Sequence, residues 1–165
     1  MTEKVFVPGK VVRAVITRPQ PKPELVRNEN PQVLLVERPN WSGQASEDWQ
    51  LPGGRIISLE LQAEVARIIG DELGIEIRQD NSPEYIGGYE NGDWTSWLYL
   101  CQLLENPGPL RVDLDRNQGV RWFDTNGKRL ILEREQDDVL VEKYRIAFDH
   151  HKMISDALKM IREKN

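Results

Sequence analysis

The chain has 165 residues, a formal net charge of −5 and a single cysteine, Cys101. That length suits one domain with its own core; the lone cysteine excludes an internal disulfide and a cysteine-rich zinc site, and the negative balance argues against a broad nucleic-acid-binding face. Met1 to Lys10 has no basic region leading into a long apolar stretch, and nothing approaches the ~20 apolar residues of a membrane helix. The expectation is one domain over residues 1–165, cytoplasmic, with neither nucleic acid nor membrane as partner.

Val11 to Thr17 alternates as a first strand, and the proline-rich stretch Arg18 to Pro31 reads as a loop. Gln32 to Glu37 is a largely buried second strand, followed by a polar loop, Arg38 to Glu47, that contains Trp41. Trp49 to Leu51 is a short strand delivering a Pro-Gly-Gly turn. From Glu60 to Leu73 the period becomes helical, with Gly74 where a C-terminal glycine belongs. Ile75 to Arg78 and Tyr85 to Tyr89 read as strands, Glu90 to Asp93 as a tight turn, and Trp94 to Leu104 as the longest strand. Cys101 sits in that apolar run as a core thiol. Gly119 to Phe123 is expected to be the last strand, Asp124 to Phe148 gives no clear pattern, and Asp149 to Glu163 carries a helical apolar stripe.

Leu61, Val65, Ile68, Ile69 and Leu73 span an arc of roughly 140° at ~100° per residue, a core-facing stripe with Glu72 near its middle. A carboxylate there is costly unless it is paired or binds a cation. The alternative is an end-of-helix Glu that escapes to solvent. Glu64 and Asp71 flank the stripe, so Glu64, Asp71 and Glu72 could offer oxygen ligands to Mg²⁺ or Mn²⁺. Each flanking carboxylate has a plainer reading as an ion pair with Arg67. Gly53 and Gly54 would let backbone approach a ligand closely, or simply form a turn.

Leu51-Pro52-Gly53-Gly54-Arg55, followed by Glu60, Arg67, Asp71, Glu72, Gly74 and Ile75, resembles a Nudix box. Two departures stand out. One residue is missing between Glu60 and Arg67, and Ile68 occupies the place of the first metal-binding Glu. The resemblance implies an α/β fold (α+β), the Nudix α/β/α sandwich, with a mixed sheet between the box helix and a C-terminal helix. It also implies a Gly53 carbonyl at a metal, Asp71 and Glu72 as ligands, and Arg67 oriented by Glu60 to hold the helix against the loop. Glu64, Arg67 and Glu72 are then the candidate catalytic residues, with Glu64 or a residue outside the helix replacing the missing ligand.

Three activities follow from the resemblance. The first is Mg²⁺-dependent hydrolysis of a nucleoside diphosphate linked to another group, such as ADP-ribose or a nucleotide sugar; Ala147-Phe148-Asp149-His150 opening the last helix is similar to that branch. The second is a glycosyl hydrolase of the GDP-mannose type, in which arginines matching Arg55 and Arg67 contact the diphosphate. The third is a nucleotide sensor with a weak or inactive site, since Gly119 stands three residues before Trp122 where many relatives carry Glu. Arg55, Trp41, Tyr89 and Trp94 are candidate substrate-binding residues, through charge or stacking. Asp149 reads as a helix N-cap, His150 and His151 as exposed or core-edge residues, and Glu90 as a hairpin charge that could double as a base. Many relatives are dimers, so a homodimer is among the expected assemblies.

Overall fold

The computed structural model describes residues 5–20, 30–37, 48–78, 81–111, 119–136, 139–146 and 150–164. Its elements are β1 (Lys10–Arg18), β2 (Gln32–Glu37), β3 (Asp48–Gln50), β4 (Gly53–Arg55), α1 (Leu61–Leu73), β5 (Glu84–Asn91), β6 (Trp94–Gln102), β7 (Gly119–Phe123), β8 (Glu133–Gln136), β9 (Val139–Lys143), β10 (Arg145–Ile146) and α2 (His150–Lys164). One mixed sheet runs β10-β3-β2-β1-β6-β5, with β4 also pairing β1 and β7 also pairing β2. β1 lies parallel to β6 over eight residue pairs, from Lys10↔Thr95 to Thr17↔Gln102. Strands β8 and β9 form a separate antiparallel ribbon.

The strand period of two sorts the core into two layers. Val12, Ala14 and Ile16 of β1 join Leu34, Val36, Tyr99 and Cys101 beneath Val65, Ile68, Ile69 and Leu73 of α1. Val15, Val33, Leu35, Leu98 and Leu100 point the other way, onto Met153, Ile154, Ala157, Leu158 and Ile161 of α2. This is the α/β/α sandwich expected from the sequence. Burial pushes the Cys101 thiol up to about 12, in keeping with a core side chain. Among the described residues no helix is long and apolar enough to cross a membrane.

Helix α1 begins just after Glu60 and ends at Gly74, whose φ of 71° closes it in the left-handed conformation with its N–H on Gly70 O at 3.0 Å. Gly92, at φ 61°, turns β5 into β6.

The structure corrects three local expectations. Ile75 to Arg78 is not a strand: Ile75 and Ile77 alternate because they pack on the α1 layer, and burial of one face imitates a ladder. Gly119 to Phe123 is not the last strand, because β8, β9 and β10 follow it, and β10 pairs with β3 in parallel. Gly53 and Gly54 are not a bare turn. They begin β4, which pairs antiparallel to β1 with Val11↔Arg55, Val12↔Gly54 and Arg13↔Gly53.

At Gly53 an added Cβ would stand 2.1 Å from Val12 O and 2.8 Å from Arg13 Cδ, whereas at Gly54 its nearest neighbours would be Ile68 methyl carbons at 3.8 Å. Gly53→Ala is therefore expected to lower unfolding free energy by more than about 2 kcal/mol. Gly54→Ala should change it by less than about 1 kcal/mol. Urea unfolding of the two variants beside the parent measures the contrast.

Candidate active site

The loop entering α1 is stapled to the helix by Glu64. This side chain is 4% exposed; its Oε1 accepts the backbone N–H groups of Ile57 and Ser58, the latter at 3.0 Å, and its Oε2 accepts Arg67 Nε at 2.6 Å. Burial alone would raise the Glu64 pKa, but the hydrogen bond from Arg67, the two backbone donors and the guanidinium charge outweigh it and hold the carboxyl below its ordinary value. Arg67 is thus oriented by Glu64 and not by Glu60, which is exposed ahead of α1. The sequence reading of Glu64 as a replacement ligand changes accordingly, since both its oxygens hold the loop and Arg67. Asp71 is 65% exposed, and its Oδ2 lies 3.8 Å from Arg67 Nη1. Such a screened pair contributes little.

Gly54 faces α1, and Ile68 packs its methyl groups against the space beneath it. An apolar side chain therefore fills the place where the resemblance expects the first metal-binding carboxylate. Glu72, 1% exposed, is buried as the stripe demanded. Gly119, where a further Glu was looked for, is covered by the Trp49 ring, 3.6 Å from an added Cβ. Gly53, expected to lend a carbonyl to a metal, owes its identity to the close approach of β1. Among the described residues no group of three or more His, Cys, Asp or Glu side chains is placed to hold a metal ion. The described residues do not fit the multi-carboxylate centre that the resemblance implies.

On the opposite face of the β1–β4 pair lies a cleft of about 470 Å³. β1 lends it Arg13 and β4 lends it Arg55, while Tyr89, Asn91, Trp94 and Ser96 come from β5 and β6. His150 and Met153 of α2 close the end. Alternation explains the placement: Gly53 and Arg55 share one face of β4, and Gly54 has the other. Arg55 stands between two rings, its Cζ 4.5 Å from the centroid of Phe6 and 5.7 Å from that of Trp94, which is itself 43% exposed. The Tyr89 hydroxyl donates to Asp156 Oδ2 at 2.5 Å, fixing the ring against α2.

Arg13 and His150 bracket Leu51. Arg13 Nη1 donates to Leu51 O at 3.2 Å, and the Leu51 N–H donates to His150 Nδ1 at 3.0 Å. Because Nδ1 accepts, the neutral imidazole carries its proton on Nε2. His150 is 3% exposed, more deeply buried than the exposed or core-edge position expected from the sequence. Its place one turn before Met153 and Ile154 on the apolar stripe was the available signal. Arg13 was missed as well, although a cation between Val11 and Val15 on one face of an apolar strand is unusual.

The structure thus gathers Arg55, Tyr89 and Trp94 in one cleft and leaves Glu64, Arg67, Asp71 and Glu72 on α1. Trp41 and Asp149 lie outside the described residues. Glu90 is exposed on β5 opposite Thr95, and His151 is exposed on α2.

No protein-family model matches the chain, and no curated protein matches it. Solved structures do. A MutT/nudix family protein from Enterococcus faecalis shares 23% identity at a TM-score of 0.69, covering 99% of this chain and 65% of that one, so the chain spans less than two thirds of that protein's length. A mutT/nudix family protein from Listeria innocua shares 19% identity at a TM-score of 0.65, over 95% of this chain and 96% of that one. The NUDIX domain of Shewanella oneidensis NrtR, solved with ADP ribose, shares 18% identity at a TM-score of 0.58, over 92% and 87% of the two chains. At these identities the likeness is one of fold: the chain has the Nudix sandwich.

The Glu64 staple gives a pH signature. Its pKa in the folded chain lies below the ordinary value of 4.5, so its stabilisation is fully present above about that pH and is lost as pH falls through the folded value. Glu64→Gln should be less stable than the parent by about 1–3 kcal/mol at pH 7. The gap should narrow as pH falls below the ordinary value of 4.5 and on through the lower folded value, as followed by urea unfolding at each pH.

Proposed function

We propose that the protein hydrolyses a nucleoside diphosphate linked to a second group, of the ADP-ribose or nucleotide-sugar kind. One observation carries this reading: Arg55, Tyr89 and Trp94, each a separate candidate for substrate binding, line a single cleft whose edge is the Gly-Gly strand. A planar base stacks on the exposed Trp94 ring, and the neighbouring guanidinium meets phosphate oxygens. The Shewanella oneidensis NUDIX domain solved with ADP ribose shares this fold and supports the choice of ligand class.

Arg67 holds α1 in register with the loop as a positioning residue, through Glu64. Glu72, buried on the α1 face and not among the residues that line the cleft, is the box carboxylate retained as a candidate for the reaction. The Mg²⁺ or Mn²⁺ of this reading is part of the substrate, chelated by its diphosphate. Asp71, exposed beside Arg67, is the second carboxylate of the box on that side.

A sensor that binds the same ligand without turning it over is the second reading, and Ile68 beneath Gly54 favours it. Product analysis separates the alternatives. ADP-ribose and nucleotide sugars, incubated with the protein and Mg²⁺ or Mn²⁺, are expected to yield two phosphate-bearing products. Free sugar with an intact nucleoside diphosphate selects the GDP-mannose-type glycosyl hydrolase, and binding without turnover selects the sensor. In the hydrolase, Trp94→Ala should raise KM about 10-fold with a smaller effect on kcat. Glu72→Gln should lower kcat about 10²-fold. Full activity in Glu72→Gln removes that carboxylate from the mechanism.

A further inference from the structure

The two faces of the β1–β4 pair are specialised in opposite senses. The α1 face is closed by Ile68 under Gly54 and by Glu64, whose oxygens take Ile57, Ser58 and Arg67 as donors. The cleft face carries Arg13 and Arg55 and no carboxylate among its described lining residues, in a chain whose net charge is −5. Asp156 of α2 accepts the hydroxyl of Tyr89, which lines the cleft.

The two arginines are held in advance. Arg13 pairs with Gly53, and Arg55 pairs with Val11, so they stand at diagonal positions of one antiparallel ladder. Diagonal neighbours lie roughly 7–8 Å apart, near enough for two long side chains to converge on adjoining phosphates. Arg13 lies across the glycine, its Cδ 2.8 Å from where a Cβ would stand, with Nη1 on Leu51 O. Arg55 is kept between Phe6 and Trp94. Little side-chain freedom remains to be lost when an anion arrives, and a guanidinium meets phosphate with paired donors.

We infer that this chain grips a diphosphate through Arg13 and Arg55 with no resident divalent cation, the Gly-Gly strand and α1 serving as a clasp and not as a metal centre. The inference rests on reading the cleft as the nucleotide site. Metal-independent recognition follows: the ligand binds in the presence of a chelator, and the free protein has no stoichiometric site for a divalent ion.

Calorimetric titration of inorganic pyrophosphate into the full chain tests the grip, with EDTA in one series and Mg²⁺ in another. Binding in EDTA, within about threefold of the Mg²⁺ value and weakened at least about 10-fold in Arg55→Gln, is the expected result. Arg55 is exposed, and circular dichroism checks that its variant folds. Electron paramagnetic resonance of Mn²⁺ titrated into the protein alone should show no saturable loss of the free-ion signal, whereas Ile68→Glu should create one. Binding of pyrophosphate only with Mg²⁺, no binding in either series, or a saturable Mn²⁺ site in the parent that Glu72→Gln removes would each overturn the inference. Chelator-resistant pyrophosphate binding without turnover of any nucleotide upholds it while sinking the hydrolase reading.

Discussion

The close approach of Gly53 to β1 organises everything around it. With Val12 O only 2.1 Å from the point where a Cβ would sit, β4 can pair with β1 only if that residue has no side chain. Once paired, the alternation of the strand assigns every neighbour its side. Gly54 turns to α1 and meets Ile68, while Arg55 turns to α2 and meets Trp94. The same ladder continues into Ala14 N–H donating to Pro52 O at 3.0 Å and Val7 N–H donating to Ile56 O at 2.8 Å. The glycine is thus a constraint of assembly before it is a feature of ligand binding.

The two arginines and the three acids near this junction differ in how their charge is met. Glu64 has given up nearly all its water for three donors, which is the condition under which a buried carboxylate is tolerated. Asp71 keeps its water and offers Arg67 only a loose partner. Arg55 takes its stabilisation from ring faces and retains its hydrogen-bonding edge, because a cation over an aromatic ring is held by the quadrupole and not by its N–H donors. A guanidinium held in this way stays competent to receive an anion.

Much of this was legible in the residues. Gln32–Glu37 and Gly119–Phe123 stand out because apolar runs bounded by turn signals admit few readings, and α1 because its stripe and its glycine cap agree. Ile75 to Arg78 misled because alternation reports one buried face and says nothing of a hydrogen-bonding partner. β8 to β10 escaped because they are short, and the sequence of β8, Glu-Arg-Glu-Gln, has no apolar period. Arg13 and His150 needed tertiary knowledge: each meets Leu51 across a distance in sequence that no local pattern reports, 38 residues in one case and 99 in the other. The shortened spacing before Arg67 is explained by the same means, since Glu64, inside the helix, does for Arg67 what Glu60 was expected to do from outside.

Cys101 lies next to the last residue of β6, opposite Ile16 in the parallel ladder and sealed from solvent in the α1 layer. A thiol held in that position meets a water-borne reagent only when the central strands part. Its labelling rate is therefore a clock for the rarest opening of the molecule, insensitive to the fraying of loops and ends that dominates most measures of motion. The chain carries at its centre a single reporter of whether the sheet is closed.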